Sequence, residues 1–212
     1  MERLTRVVGP VRTNVHVLAD PRTREAIAID TAIPSLAWIS DELRDRGWTL
    51  NLIVTTHGHW DHFGDNAAVA AHTGAAIAVH PLDAHRLTDP QPLWAPFEIP
   101  VCVPAVDLAE GGEIRFGDIR LAVLHTPGHT EGSVCLWAPD EGLMFSGDTL
   151  FAGGWGRTDL PGGDPAALVE SLARLSTFED PARVLPGHGP ETTIGAERPW
   201  LATVARERRL PM

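Results

Sequence analysis

Along the first third of the chain, apolar residues come in short runs closed by Pro, Asp or Arg, at 4–8, 14–18 and 26–30. Runs of that length between turn formers predict β-strands. Between 34 and 46 the pattern changes to Leu36, Ile39 and Leu43 at helical spacing, with Pro34 suited to a first turn and Gly47 to the stop. The β-branched run 50–56 reads as a buried strand leading straight into a histidine-rich segment. Asp65 or Asn66 can then cap an Ala-rich helix ending near Gly74, and 75–79 returns as a strand.

From 81 to 105 the chain is rich in Pro and has no clear period, which predicts a long loop or lid with one short helix at 81–87. The second half repeats the first. Glu113–Phe116 and 118–125 form a hairpin around Gly117, and Ile119, Leu121 and Val123 alternate onto one face. Strands are expected at 132–138, 142–146 and 183–185, and a helix at Pro165–Leu175 carries Leu168, Val169, Leu172 and Leu175 on one side. Two halves, each with strands first and helices after, predict two sheets packed face to face with helices outside.

Composition narrows the function classes. A chain of 212 residues, 43% hydrophobic and 21% charged, can bury a full core as one domain, expected to span 1–212. A net charge of −11 works against nucleic acid and anionic membrane surfaces. The one dense basic stretch, 206–209, is interrupted by Glu207 and reads as a solvated helix face. Residues 1–10 hold no apolar run long enough for a signal peptide or a membrane span, so a cytoplasmic location is the default expectation. Cys102 and Cys135 lie in no C-x-x-C pair and read as buried thiols. There is no Lys and no Tyr.

The chemistry concentrates in Thr56, His57, Gly58, His59, Trp60, Asp61 and His62. Residues two apart on an extended segment point the same way, so His57 and His59 can offer imidazole nitrogens to one ion. Asp61 and His62, past the turn, can face a neighbouring ion. Three further candidates each follow a predicted strand: His129 after a Pro-Gly turn, Asp148 in Ser-Gly-Asp-Thr, and His188 in Pro-Gly-His-Gly. A rigid scaffold presenting a site through its loops gives this arrangement. Five histidines and two aspartates suit zinc first, with iron or manganese as alternatives.

These motifs resemble those of the metallo-β-lactamase superfamily over nearly the whole chain. The resemblance implies an α/β (α+β) fold, a four-layer αβ/βα sandwich with the site at the edge of two sheets. It implies two divalent metal ions: His57, His59 and His129 at the first, Asp61, His62 and His188 at the second, and Asp148 bridging both. Within the superfamily, the run 146–151, then 156–164, and the close at 186–193 look like the short glyoxalase II group. That implies hydrolysis of a small-molecule thioester, a glutathione or other low-molecular-weight thiol adduct, by a hydroxide shared between the metals. Asp61 would orient the hydroxide, and a local charge near +1 would favour anionic substrates.

Relatives with a cysteine ligand are set aside by Asp148, flavodiiron proteins by His59, and lactonases with an active-site tyrosine by its absence. Persulfide dioxygenases, which hold one iron at positions like His57, His129 and Asp148, are the alternative; Leu160-Pro161 departs from their pattern. A non-catalytic binding protein on the same scaffold is a third class, disfavoured by the complete ligand set. Glutathione-binding Lys and Tyr of two-domain glyoxalase II enzymes have no counterpart here.

The remaining residues have plainer expectations. His125 reads equally as support for a ligand or as a packed residue, and His16, His72, His80 and His85 as core or surface. Arg157 and Asp159 are expected to form a buried ion pair, Asp30 to fix a turn, and Trp60 to pack beside the site. Trp94 and Phe97 are candidates for an apolar pocket wall.

Overall fold

The computed structural model describes residues 1–90 and 94–211, so part of the expected Pro-rich loop lies outside the described residues. The first sheet begins as an antiparallel meander of β1 (Glu2–Val8), β2 (Thr13–Ala19) and β3 (Glu25–Ile29). It continues in parallel through β4 (Thr49–Val54), β5 (Ala76–Val79) and β6 (Val106–Asp107). Its crossovers carry α1 (Leu36–Arg46), α2 (Trp60–Phe63), α3 (Asn66–Thr73) and α4 (Ala84–Thr88).

The second sheet holds β7 (Glu113–Phe116), β8 (Ile119–His125), β9 (Val134–Ala138) and β10 (Leu143–Gly147). A small ribbon, β11 (Leu150–Phe151) with β12 (Gly154–Trp155), precedes α5 (Pro165–Leu175). The chain returns through β13 (Arg183–Pro186) and β14 (Thr192–Thr193), so that the sheet order is β14-β13-β10-β9-β8-β7, and closes with α6 (Ile194–Glu207).

Strand alternation builds the layers. On β2, Val15 and Val17 face the helices while Leu18 faces the other sheet; on β3, Ala28 and Ile29 divide the same way. Between the sheets, Leu18, Ile27 and Ile29 meet Phe116, Leu121, Leu136 and Phe145. Outside, Ile39, Leu43 and Val69 cover the first sheet, and Leu168, Leu172, Leu201 and Val204 cover the second. Both faces of each sheet are buried, which is why the central strands read as nearly unbroken apolar runs. The result is the four-layer α/β sandwich.

Two local expectations change. Asp65 does not cap α3; its Oδ2 accepts the backbone N–H of Ser35 and of Leu36, so it caps the start of α1 from a distance. Helix α6 has no counterpart in the sequence reading, because Gly195 and Pro199 lower its intrinsic propensity. Capping by Thr193 Oγ1, which accepts from Ala196 N, and burial of Ile194, Leu201 and Val204 hold it. Both cysteines are buried, as expected. Among the described residues no helix is long and apolar enough to cross a membrane.

One buried group between the sheets ties stability to pH. His16 Nδ1 bonds Thr5 Oγ1 at 2.9 Å and its ring meets Phe145 edge-on. Burial, helped by Arg3, pulls its pKa down to about 3. It stays neutral when folded, while an unfolded-chain imidazole takes a proton below about 6.5. Stability is therefore lost as pH falls from about 6.5 toward 3. Urea melts of wild type and His16→Gln should show that the loss between pH 7.5 and 5.0 is about 2 kcal/mol smaller in the variant. An equal loss in both would remove His16 as its source.

Candidate metal centre

Four elements end at one rim of the sandwich and deliver the donors. His57 follows β4, His59 immediately precedes α2, Asp61 and His62 lie in its only turn, and His129, Asp148 and His188 follow β8, β10 and β13. All seven predicted residues are brought together. The donor atoms of His57, His59 and His129 lie within 4.8 Å of one another, as do those of Asp61, His62 and His188; His57, His62 and Asp148 form a third such group between them.

The spacing is informative. His57 Nε2 is 3.1 Å from His59 Nδ1, which is 2.8 Å from His129 Nε2, and His62 Nε2 is 3.2 Å from His188 Nε2. Nitrogens this close need a proton or a cation between them, and a tetrahedron with bonds of about 2.05 Å has edges of about 3.3 Å. Asp148 sits at the junction: Oδ1 is 3.4 Å from His62 Nε2, and Oδ2 is 3.5 Å from both His129 Nε2 and His188 Nε2. Its Oδ1 is buried without a hydrogen-bond partner among the described residues. An orphaned carboxylate oxygen amid imidazoles suits a cation, and the donor set fits divalent metal. Space is tight, for a Cβ at Gly187 would overlap Asp148 Oδ1 and His62 Cε1.

A second ring of residues aims the first. Asp30 is buried at the end of β3 and accepts His62 Nδ1–H at 2.9 Å on Oδ2, and Thr56 N and Oγ1, each at 2.8 Å. Thr56 Oγ1, donating to Asp30, accepts from His57 Nδ1 at 3.2 Å, and Arg157 O accepts from His129 Nδ1 at 2.7 Å. These bonds fix the tautomers that turn Nε2 of His57, His62 and His129 inward. Asp30 therefore orients a donor, beyond the turn expected of it. Asp83, also buried, accepts Gly58 N at 2.6 Å, Thr130 Oγ1 at 2.7 Å and Gly132 N at 2.9 Å, tying the His57 loop to the His129 loop. Asn14 Nδ2 donates to Pro186 O and Gly189 O, and Thr13 Oγ1 to Asp61 Oδ2 at 3.2 Å, so the start of β2 clasps the His188 loop.

The electrostatics separate two sides. Burial, reinforced by neighbouring imidazoles, pulls His57 well down, and burial with His129 takes His59 down to about 3. Burial also opposes charge on His62, but Asp148, Asp61 and Asp30 outweigh it and raise His62; the bond to Asp61 does the same for His188. Burial would raise Asp148, yet His62 and its neighbours hold it down at about 2, and Asp61 is lowered against burial by His62 and His188. Three carboxylates around one imidazole make a pocket that calls for positive charge, which protons or metal ions can supply.

Other expectations resolve. No hydrogen bond joins His125 to any of the seven donors among the described residues; its Nε2 bonds Glu131 O at 2.8 Å and its ring stacks on His80, making it a packed residue. Arg157 and Asp159 do pair, but at 52% and 66% exposure the pair is not buried: it stands at the mouth of the cleft. Trp94 lines that cleft, and Phe97 packs edge-on against Trp60. His85 and Arg86, on α4, line it too, and nothing but residue type marks either of them along the chain.

Comparison with known proteins agrees with the fold. The family model for the metallo-beta-lactamase superfamily matches residues 8–188. A protein of Aquifex aeolicus is 38% identical over 90% of this chain and 91% of its own length. The hydroxyacylglutathione hydrolase of Maricaulis maris is 36% identical over 81% of this chain, which spans 60% of that enzyme. Similar solved structures include BLEG-1 B3 metallo-beta-lactamase, with 31% identity and a TM-score of 0.86 over 96% of this chain and 99% of that one. A di-iron-bound form of TTHA1623 gives 33% and 0.77 over 92% and 96%, and ETHE1 from Myxococcus xanthus 26% and 0.80 over 100% and 92%. With the matched model spanning the strands that carry every donor, the chain belongs to the metallo-beta-lactamase superfamily, a superfamily of metallo-hydrolases.

Proposed function

We propose that the chain is a hydrolase of small thioesters that holds two divalent ions, zinc first. His57, His59 and His129 would hold one ion, Asp61, His62 and His188 the other, and Asp148 would bridge. The observation that carries this reading is the convergence of seven donors into three overlapping groups, with Asp148 Oδ1 left without a partner between them. When bound, such ions supply a water acidified toward a pKa of about 7 and positive charge for the acyl oxygen. Asp61, held by Thr13 Oγ1, would orient the attacking water. Asp30, Thr56 and the Arg157 carbonyl keep the imidazoles aimed. A thiolate leaves without a strong general acid, consistent with a cleft that offers no Lys or Tyr.

The likeness to the Maricaulis maris hydroxyacylglutathione hydrolase supports the thioester. The alternative is persulfide oxidation at one iron held by His57, His129 and Asp148, which the resemblance of the motifs also allows. Leu160-Pro161, which departs from the persulfide dioxygenase pattern, favours the hydrolase. The test is thiol release from S-lactoylglutathione and from acyl thioesters of other small thiols. Chelation should abolish release and zinc restore it; inertness of the zinc-loaded protein toward every thioester would sink the reading.

A further inference from the structure

The cleft above the cluster holds about 800 Å³, a volume suited to a small-molecule substrate. Part of its wall is aromatic, formed by Trp60, Trp94, Phe151 and Trp155 with Leu160 beside them. Three of the rings are braced by a neighbour. Trp60 meets Phe97 at 5.7 Å, Trp155 meets Trp200 at 5.4 Å, and the Arg157 guanidinium lies 5.9 Å from the Trp94 ring. Braced rings offer apolar area with little rotamer freedom left to lose on binding.

The cations tell the other half. The chain has no Lys, so Arg is its only permanently cationic side chain, and of the described residues only Arg86 and Arg157 bring one to the cleft. Both are engaged. Arg86 Nη2 donates to Glu131 Oε2 at 2.6 Å and to Pro161 O at 2.9 Å, and its buried Nε, without a hydrogen-bond partner among the described residues, is 3.5 Å from Asp83 Oδ1. Arg157 grips Asp159 through Nε and Nη2, each at 2.7 Å. A carrier bearing carboxylates, as glutathione does, must compete with one of these pairs; an uncharged carrier disturbs neither.

We propose that this cleft selects thioesters with an aromatic acyl group on an uncharged thiol carrier, an inference that rests on the thioester-hydrolase reading. Water adds across the acyl C–S bond: a C–O bond forms, the C–S bond breaks, and the products are a ring-bearing carboxylate, the free thiol and one proton. The ring lies against the aromatic wall, and the reacting carbonyl faces the donor cluster at the floor.

The test uses four thioesters and the metal-loaded full chain: phenylacetyl and lactoyl groups, each on N-acetylcysteamine and on glutathione. Phenylacetyl-N-acetylcysteamine should exceed lactoylglutathione in kcat/KM by about thirtyfold, the value of burying one ring. Asp159→Asn, which releases Arg157, should raise kcat/KM for the glutathione pair about fivefold relative to the N-acetylcysteamine pair. A readout independent of turnover is quenching of Trp fluorescence by the non-hydrolysable phenethyl thioethers of both carriers, where the N-acetylcysteamine compound should bind more tightly. Equal or better turnover of lactoylglutathione, with its carrier's thioether binding at least as well, overturns the selectivity and leaves the hydrolase standing. Failure to hydrolyse any of the four removes both.

Discussion

Replacing Asp148 by Asn is expected to lower thioester turnover about a thousandfold and to reduce bound metal from two ions per chain to one. The residue is nearly buried, and its two oxygens face donors of both clusters at 3.4 and 3.5 Å. An amide keeps the shape but removes the charge and turns one acceptor into a donor, aimed at nitrogens that also need a cation. Metal analysis and steady-state kinetics on the same preparation check the two parts separately. Full retention of both ions with full activity would mean that Asp148 bridges nothing.

The second large effect is expected at Asp30, which never enters the cluster. Asp30→Asn should weaken metal binding about ten- to a hundredfold and lower stability by about 3 kcal/mol. Asn is the informative replacement because Asp30 sits at φ 57°, a left-handed conformation that Asn tolerates. Backbone strain is then kept out of the comparison. What changes is the carboxylate that accepts His62 Nδ1–H and two Thr56 donors. Competition with a chromogenic chelator reads the affinity, and denaturant melts of the metal-loaded protein read the stability. A variant with wild-type affinity but reduced stability would make Asp30 a purely structural residue.

The two effects differ in how visible their residues are in sequence. Donors were legible because His57, His129, Asp148 and His188 each come within a few residues of the end of a strand, and because His57, His59, Asp61 and His62 are packed into six consecutive positions. The sandwich was legible for the same reason: Leu121 and Val123 alternate against Leu124, and Leu168, Leu172 and Leu175 mark one helix face. Asp30 and Asp83 were not. Each is a single carboxylate whose partners lie far along the chain, His62 for one and Thr130 and Gly132 for the other, and no spacing rule connects them. Helix α6 was hidden by its Gly195 and Pro199, where tertiary burial overrides propensity. The Arg157–Asp159 pair was legible as a pair from its i, i+2 charges, but exposure is decided by packing, which placed it at the mouth of the cleft.

That placement also revises what the site's charge implies. The sequence reading expects a locally positive pocket that attracts anions. In the fold the positive demand is confined to the floor, where Asp30, Asp61 and Asp148 surround His62, while the arginines of the wall are matched by Asp83, Glu131 and Asp159. On the proposed function, reaction and carrier recognition fall to different groups, and the carrier-binding half is the part in which members of one superfamily can diverge without touching the donors.

The most direct measurement of the central claim counts metal and follows oxygen on one preparation. The purified chain is analysed for zinc, iron and manganese per mole, then supplied in parallel with an acyl thioester and with glutathione persulfide in an oxygen-electrode cell. Two ions per chain, thiol release from the thioester and no oxygen uptake with the persulfide are expected. A single iron per chain, with oxygen consumed and sulfite formed, would contradict it.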